Sequence, residues 1–152
     1  MSLEEEIKQR SFRTEQSKLI VNLIYTSNRL KERISARLKE SGLTMQQYNV
    51  LRIVRGAGET GSTTSEIRER LLDKMSDASR MVDRLVCMNF LEKVRDKQDR
   101  RIVFIFLTAK GEKLVNRLIQ KEEVESLAAA MDEKKAQQLN ELLDCFRSDL
   151  AG

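Results

Sequence analysis

The sequence predicts a mainly α-helical protein with one small β-hairpin, and three observations lead to this fold class. The 152 residues include no proline and 34% charged side chains, a composition that suits long helices with charged faces. Apolar residues recur three and four positions apart along most of the chain, as they do on one face of a helix. Residues 90–94 and 102–107 instead form short runs rich in branched and aromatic side chains, which are typical of strands.

Capping signals divide the chain into separate helices. A first long helix, over residues 15–40, ends at Ser41–Gly42. A capping box begins each of the next two helices: a hydroxyl and a longer polar side chain three residues later each satisfy a free backbone N–H. These boxes are Thr44 with Gln47 and Thr63 with Glu66.

The segment Met75–Gly111 then runs as helix, strand, basic turn, strand and next helix cap. Leu72–Met75 makes a tight turn into a helix opened by Ser76, so two short helices stand in helix-turn-helix order. Residues 96–101 are the basic turn of the hairpin, and Thr108 caps the following helix. This order predicts a winged helix-turn-helix, which can place one helix and one hairpin on DNA.

The length suggests one domain over residues 1–152, with a single hydrophobic core. We assign residues 43–111 to the winged helix-turn-helix lobe, and residues 10–40 and 112–150 to flanking dimerisation helices. Asp132 begins a last helix with an apolar stripe, which is interpreted as a dimer face, although an ordinary intramolecular core would give the same pattern. The stripe consists of Leu139, Leu142, Leu143, Phe146 and Leu150.

Positive charge is concentrated in the front and middle of the chain. Residues 1–40 have 9 basic and 6 acidic side chains, residues 41–120 have 15 and 10, and residues 121–152 have 4 and 8. Such an asymmetry is expected when one face meets a polyanion, although an ordinary solvated surface can produce it as well.

The residues give no support to an enzymatic function. The chain has no histidine and no glycine-rich phosphate loop, and Cys87 and Cys145 are too few for a zinc site or a disulfide framework. Carboxylate pairs such as Glu122–Glu123 are interpreted as solvated helix charges. No catalytic residue, metal ligand or cofactor is therefore expected. Since there is no apolar run of roughly 18 residues and no secretory leader, we expect a cytoplasmic protein.

Three motifs within Leu43–Leu118 carry a resemblance to a known family: SRMVDRL at Ser79–Leu85, DKQDRR at Asp96–Arg101 and LTAKG at Leu107–Gly111. With this spacing, the chain resembles the multiple antibiotic resistance regulator (MarR) family of winged-helix transcription regulators. The resemblance implies a homodimer whose first helix and last two helices interlock, with two winged lobes on a short DNA palindrome. It also implies repression that responds to a small aromatic or phenolic effector, although activators occur in the family.

The helix after the turn is the first expected DNA contact, because the N-terminal half of such a helix faces the bases. Arg80 is the leading candidate for a base contact, since a guanidinium can bind O6 and N7 of guanine together. The alternatives for Arg80 are a phosphate contact or an ion pair with Asp77 or Asp83, and a structural salt bridge explains Arg84 equally well. Ser76 is expected to cap this helix, and hydroxyls at the preceding helix start can bind phosphate. The further candidates are Thr63, Thr64, Ser65, Asp77 and Ser79.

The hairpin turn is the second expected contact. Residues 93–101 carry five basic and two acidic side chains. Arg101 matches the arginine of the family's Asp-x-Arg wing pattern, in which Asp99 is expected to orient the arginine. We assign Arg101 to the minor groove. Lys97 or Arg100 is expected near phosphates. A charged turn that only faces water is the alternative.

The effector site and the redox chemistry are the least determined by the sequence. Phe12, Tyr25 and Tyr48 are effector-site candidates by position, although all three also fit a plain core. Cys87 is interpreted as a small buried hydrophobe and not as a reactive thiol.

The second strand departs from the family pattern. Phe104 and Phe106 occupy a face that is usually polar, either through extra burial against a neighbouring element or through a local packing variation.

Two other functions remain alternatives. A winged helix can bind protein instead of DNA, since a fold does not fix a function. Sequence-tolerant DNA binding would use the same basic residues, with a steep salt dependence and little site preference.

Overall fold

A computed structural model describes residues 2–121 and 124–150, so the Glu122–Glu123 pair lies outside the described residues. The order of elements is α1 (Leu3–Ile7), α2 (Glu15–Leu38), α3 (Met45–Ala57), α4 (Thr64–Arg70), α5 (Ala78–Cys87), β1 (Leu91–Arg95), β2 (Val103–Leu107), α6 (Ala109–Gln120) and α7 (Glu133–Asp149). Short 3-10 turns occupy residues 39–41, 58–60 and 125–128. The predicted fold class, mainly helical with one hairpin, is confirmed.

The capping predictions hold at α3 and α4, where both halves of each capping box are formed. At α5 the prediction was wrong by one residue. Asp77 is the N-cap, and its Oδ1 accepts the backbone N–H of Arg80 at 3.0 Å. Ser76 does not cap the helix because its hydroxyl donates to Oδ2 of Asp73 at 2.8 Å.

The hydrophobic core lies between α3, α4, α5, α6 and the hairpin. Leu51, Ile67, Leu85, Ile105 and Val115, one from each of these elements, are all fully buried and belong to one cluster. In contrast, α7 contributes no buried residue. The core therefore fixes α5 and the hairpin relative to each other, while α7 keeps its apolar stripe at the surface.

The hairpin pairs antiparallel from Leu91 with Leu107 to Arg95 with Val103. A backbone bridge between Ser62 and Ile105, with N···O distances of 3.0 and 2.8 Å, ties it to the segment before α4. This bridge fixes the middle of β2 beside the start of the helix-turn-helix.

The two phenylalanines of β2 are half-buried, with ring centroids 6.5 Å apart. A Cβ built on Gly61 would lie 2.7 Å from the ring of Phe106, so this ring packs directly on the glycine backbone. Of the two explanations for the apolar strand face, the packing of Phe106 supports extra burial against a neighbouring element.

No helix within residues 2–121 and 124–150 combines the length and the apolar character needed to cross a membrane.

Candidate nucleic-acid interface

The helix α5 separates an apolar face from a polar one. Ala78, Val82 and Leu85 are buried in the core. The opposite face is exposed to solvent along its whole length, which leaves the side chains predicted for the major groove accessible. These are Asp77, Ser79, Arg80 and Arg84, together with Asp83.

The guanidinium groups of Arg80 and Arg84 are free of the ion pairs that were their alternative explanation. Asp77 binds the backbone N–H of Arg80, and Asp83 pairs with Lys93 on β1 at 2.6 Å. Among the residues that the structure describes, neither guanidinium forms an ion pair or a hydrogen bond. Both cations are therefore available to an anionic partner.

The start of α4 and the start of α5 border a common cleft. The cleft is lined by candidate residues from both helices. It is also lined by Arg68, which the sequence reasoning missed. That residue lies three positions after Ser65, on the same side of α4, and this helical spacing was the signal that could have identified it. The lining residues are Thr64, Ser65, Arg68, Ser76, Asp77, Ala78 and Ser79.

Thr63 is less accessible to a ligand than its neighbours because its polar atoms are used locally. Its hydroxyl donates to Oε2 of Glu66 at 3.0 Å, and its backbone N–H donates to the same oxygen at 2.7 Å. The hydrogen bonds from the Thr63 backbone and hydroxyl lower the pKa of Glu66. Thr63 thus orients the start of α4, whereas Ser65 is exposed and Thr64 is half-buried.

A second groove lies on the other side of α5. It is bordered by Arg80 and Arg84 and by the start of α3, where Thr44, Gln46 and Gln47 line it. Thr44 and Gln47 were recognised only as a capping box, and Gln46 was not singled out. Apart from Met81, the side chains around this groove can donate or accept hydrogen bonds, as recognition of phosphates and base edges requires.

Two aspartates shape the hairpin tip. Oδ1 of Asp96 accepts the backbone N–H groups of Gln98 at 2.8 Å and Asp99 at 2.7 Å, and Oδ1 of Asp99 accepts that of Arg101 at 3.0 Å. The hydrogen bonds from the Asp99 and Gln98 backbone lower the pKa of Asp96. The acidic residues of this basic turn therefore organise its backbone.

The basic side chains of the tip project into solvent. Arg95, Lys97 and Arg100 border one cleft with Asp96. Arg101 is also exposed but does not line that cleft. Asp99 fixes the backbone of Arg101 and, within residues 2–121 and 124–150, forms no ion pair with its guanidinium.

The remaining candidates lie away from this surface. Tyr25 is half-buried and its hydroxyl donates to Glu6 at 2.5 Å, which raises the pKa of Tyr25. Tyr48 is buried in the core, and its hydroxyl finds no hydrogen-bond partner among the described residues. Burial raises the pKa of Tyr48. Phe12 is half-buried before the start of α2.

Cys87 was predicted to be buried, and this prediction was wrong. The side chain is exposed at the last residue of α5, because the buried stripe of that helix runs through Ala78, Val82 and Leu85 and leaves position 87 on the solvent side. Cys145 on α7 is exposed as well.

Of the predicted dimer residues, Leu139, Leu142 and Leu150 are exposed, and Leu143 and Phe146 are half-buried. A second group of exposed apolar side chains lies along α2 and includes Leu19, Ile20, Ile24 and Leu30.

Comparisons with known proteins identify the class to which this fold and surface belong. Residues 29–118 match the family described as transcriptional regulator SarA/Rot. The multiple antibiotic resistance protein MarR of Salmonella typhimurium is 33% identical over 90 residues, which make up 59% of this chain and 61% of that protein. The chain thus spans about three fifths of the length of the curated relatives that it matches.

Solved structures show the same fold. The S. aureus MepR–DNA complex superposes with a TM-score of 0.72 at 22% identity, covering 91% of this chain and 99% of that chain. AbsC, a MarR family transcriptional regulator from Streptomyces coelicolor, gives a TM-score of 0.74 at 20% identity, covering 93% and 99%.

The fold is thus a winged helix-turn-helix like that of the MarR family regulator AbsC. More narrowly, since the family match covers more than half of its length, the chain belongs to the SarA/Rot family of transcriptional regulators. This family consists of regulators and not of enzymes, which confirms the expectation that the chain is not an enzyme.

Proposed function

We propose that the protein is a sequence-specific regulator that binds double-stranded DNA as a homodimer at a palindromic operator. The observation that carries this proposal is the pair of free guanidinium groups, Arg80 and Arg84, on the exposed face of α5, next to a basic hairpin tip whose backbone is held in place. A cationic helix face beside a cationic wing is the arrangement that groove binding requires.

Each group of residues has a role in this proposal. Arg80 binds a guanine edge, a contact worth about 1–3 kcal/mol of discrimination against the wrong base. The hydroxyls and Arg68 in the cleft between α4 and α5 bind phosphate, which sets the position of the protein on the duplex. Arg101 enters the minor groove, while Lys97 and Arg100 lie near phosphates.

The dimer is supported by apolar surface that the described chain leaves uncovered. Ile24 on α2 is 59% exposed and Leu142 on α7 is 69% exposed, so the described residues of one protomer leave both side chains largely uncovered. We assign residues 10–40 and 112–150 to the dimer contact and residues 43–111 to the DNA-binding lobe. Two lobes related by a twofold axis would match a palindrome.

Repression that is relieved by a small aromatic or phenolic effector is the regulatory mode that the MarR resemblance supports. Such a ligand would bind between the dimer helices and the lobe, with Phe12, Tyr25 and Tyr48 as candidates. A change in the separation of the two lobes would then weaken binding to both half-sites together.

The test is to select genomic fragments of the source organism with the purified protein at about 0.15 M salt and to sequence them. The proposal predicts enrichment of a short palindrome whose half-sites lie about one helical turn apart. Fragments without a common sequence would instead indicate sequence-tolerant binding. A folded dimer that retains no DNA would indicate a protein-binding module.

A further inference from the structure

The turn between α4 and α5 carries the two most exposed large apolar side chains of the described residues. Met75 is 93% exposed and Leu72 is 80% exposed. Single apolar residues at a surface are common, but two such residues three positions apart, both nearly free of contacts, are not explained by the fold.

This turn is held in place by hydrogen bonds. The carboxylate of Asp73 accepts the backbone N–H of Met75 at 3.0 Å and the hydroxyl of Ser76 at 2.8 Å. Oδ1 of Asn49 on α3 accepts the backbone N–H of Leu72 at 3.0 Å. The backbone at Met75 is therefore fixed, and the thioether side chain is presented to solvent from a defined position.

Met75 also stands at the end of α5 that the proposed function places in the major groove. Ser76, the next residue, lines both the cleft beside α4 and the groove beside α3. Met75 therefore continues the surface on which Arg80 lies. A thioether cannot donate to a base edge, and the apolar group that the major groove offers is the 5-methyl group of thymine.

We propose that Met75 contacts a thymine methyl group in each half-site of the operator. This inference rests on the proposed sequence-specific DNA binding and adds an apolar specificity contact to the polar ones. Removal of one buried methyl group costs about fourfold in affinity, so symmetric removal from both half-sites costs about 15-fold.

The experiment compares the Kd of the selected palindrome with that of copies in which deoxyuridine replaces thymidine at one symmetric pair of positions at a time. Wild-type protein is expected to lose about 15-fold at one such pair. Met75→Ala is expected to bind the thymine duplex about 15-fold more weakly than wild-type protein does. It is also expected to bind the thymine and uracil duplexes with equal affinity. Leu72→Ala, the matched control on the same turn, keeps the wild-type ratio.

Several outcomes would overturn the inference. The first is equal affinity of wild-type protein for the thymine and uracil duplexes at every position. The second is a Met75→Ala protein whose ratio of thymine-duplex to uracil-duplex affinity equals that of wild-type protein. Both outcomes leave the proposed function intact. A changed oligomeric state of Met75→Ala in sedimentation would place the residue at a protein contact instead. If wild-type protein prefers no palindrome at all, the proposed function fails together with this inference.

Discussion

Arg80 and Arg101 are both exposed cations, but their surroundings predict different effects on binding. Arg80 lies on a rigid helix among groups that can bind base edges and phosphates, whereas Arg101 lies on a turn whose backbone is held by Asp99. Loss of Arg80 is therefore expected to relax the preference for one base pair, and loss of Arg101 to weaken binding at every sequence.

Arg101→Ala is expected to lower affinity about 30-fold at about 0.15 M salt, because the dimer loses one cation from each of two minor-groove contacts and the salt slope falls by about 1.8. Titration of the selected duplex at several salt concentrations measures both quantities. Lys134→Ala on α7 removes an equal charge outside the DNA-binding lobe and serves as the control. Unchanged affinity and slope in Arg101→Ala would contradict the assignment of Arg101 to DNA.

The carboxyl of Asp96 provides a pH test of the wing. Its pKa is held below the ordinary value of 3.8 by hydrogen bonds from the Asp99 and Gln98 backbone. The ionised group therefore stabilises the turn fully above that value, and this stabilisation is lost as the pH falls through the lowered pKa. The amide chemical shift of Gln98 is expected to change with a midpoint below 3.8, and Asp96→Asn removes the step. A midpoint at or above 3.8 would contradict the hydrogen bonding.

For single residues, the sequence predicts which side chains can cap a helix or form an ion pair better than it predicts which partner each side chain takes. Ser76 and Asp77 are both good helix caps, and the choice between them depends on Asp73, whose carboxylate takes the Ser76 hydroxyl. Arg68 and Cys87 could have been placed correctly from helical spacing alone. The ion pair of Asp83 with Lys93 depends on how α5 meets β1, which spacing within one helix does not reveal.

Among the helices and strands, the contact between the start of α6 and the segment that joins α5 to β1 depends on Gly111. A Cβ at this position would lie 2.0 Å from the carbonyl oxygen of Phe90, which is backbone and cannot move aside. Gly111→Ala is therefore expected to lower the free energy of unfolding by about 3 kcal/mol or more.

Urea denaturation of Gly111→Ala and Gly56→Ala tests this close approach. Gly56 lies within α3, and its added Cβ would meet only the side chain of Arg70 at an ordinary 3.6 Å. Alanine there is expected to stabilise the protein by about 0.5–1 kcal/mol. Equal free energies of unfolding for Gly111→Ala and Gly56→Ala would refute the predicted close approach at Gly111.

The elements themselves follow from local signals, which explains why their order could be predicted. Capping boxes and apolar periodicity act over a few residues, and they place α2 to α4 close to their observed bounds. The face of β2 could not be resolved in this way, since Phe106 packs against Gly61, which is distant in the sequence. Contacts between distant segments leave no spacing pattern in a single sequence.

In the whole molecule, the proposed dimer requires that α2 and α7 meet a second copy of the chain. Leu142→Glu places a charge in the proposed contact and is expected to shift the protein from dimer to monomer in sedimentation equilibrium. Gln137→Glu, on the opposite face of the same helix, adds the same charge and is expected to leave the dimer intact. A wild-type monomer, or a Leu142→Glu dimer of unchanged affinity, would contradict the assignment.

The sequence does predict that α7 is amphipathic, but it leaves open whether the apolar stripe meets its own domain or another chain. The exposure of Leu142 and Leu150 favours another chain, because no element of the described residues covers them. Whether the stripe meets its own domain or another chain depends on where α7 lies, and the position of α7 depends on the packing of the whole molecule.

Recognition of a palindrome by a dimer, through α5 and the wing, is the property on which the proposed function depends. It is tested most directly by measuring, across a range of salt concentrations, the Kd of wild-type protein for the selected palindrome and for a shuffled duplex of equal composition. Sequence-specific binding by a dimer predicts an affinity at least about 1,000-fold higher for the palindrome near 0.15 M salt, with two protomers bound per duplex. Equal affinity for the two duplexes, or binding of a single protomer, would contradict it.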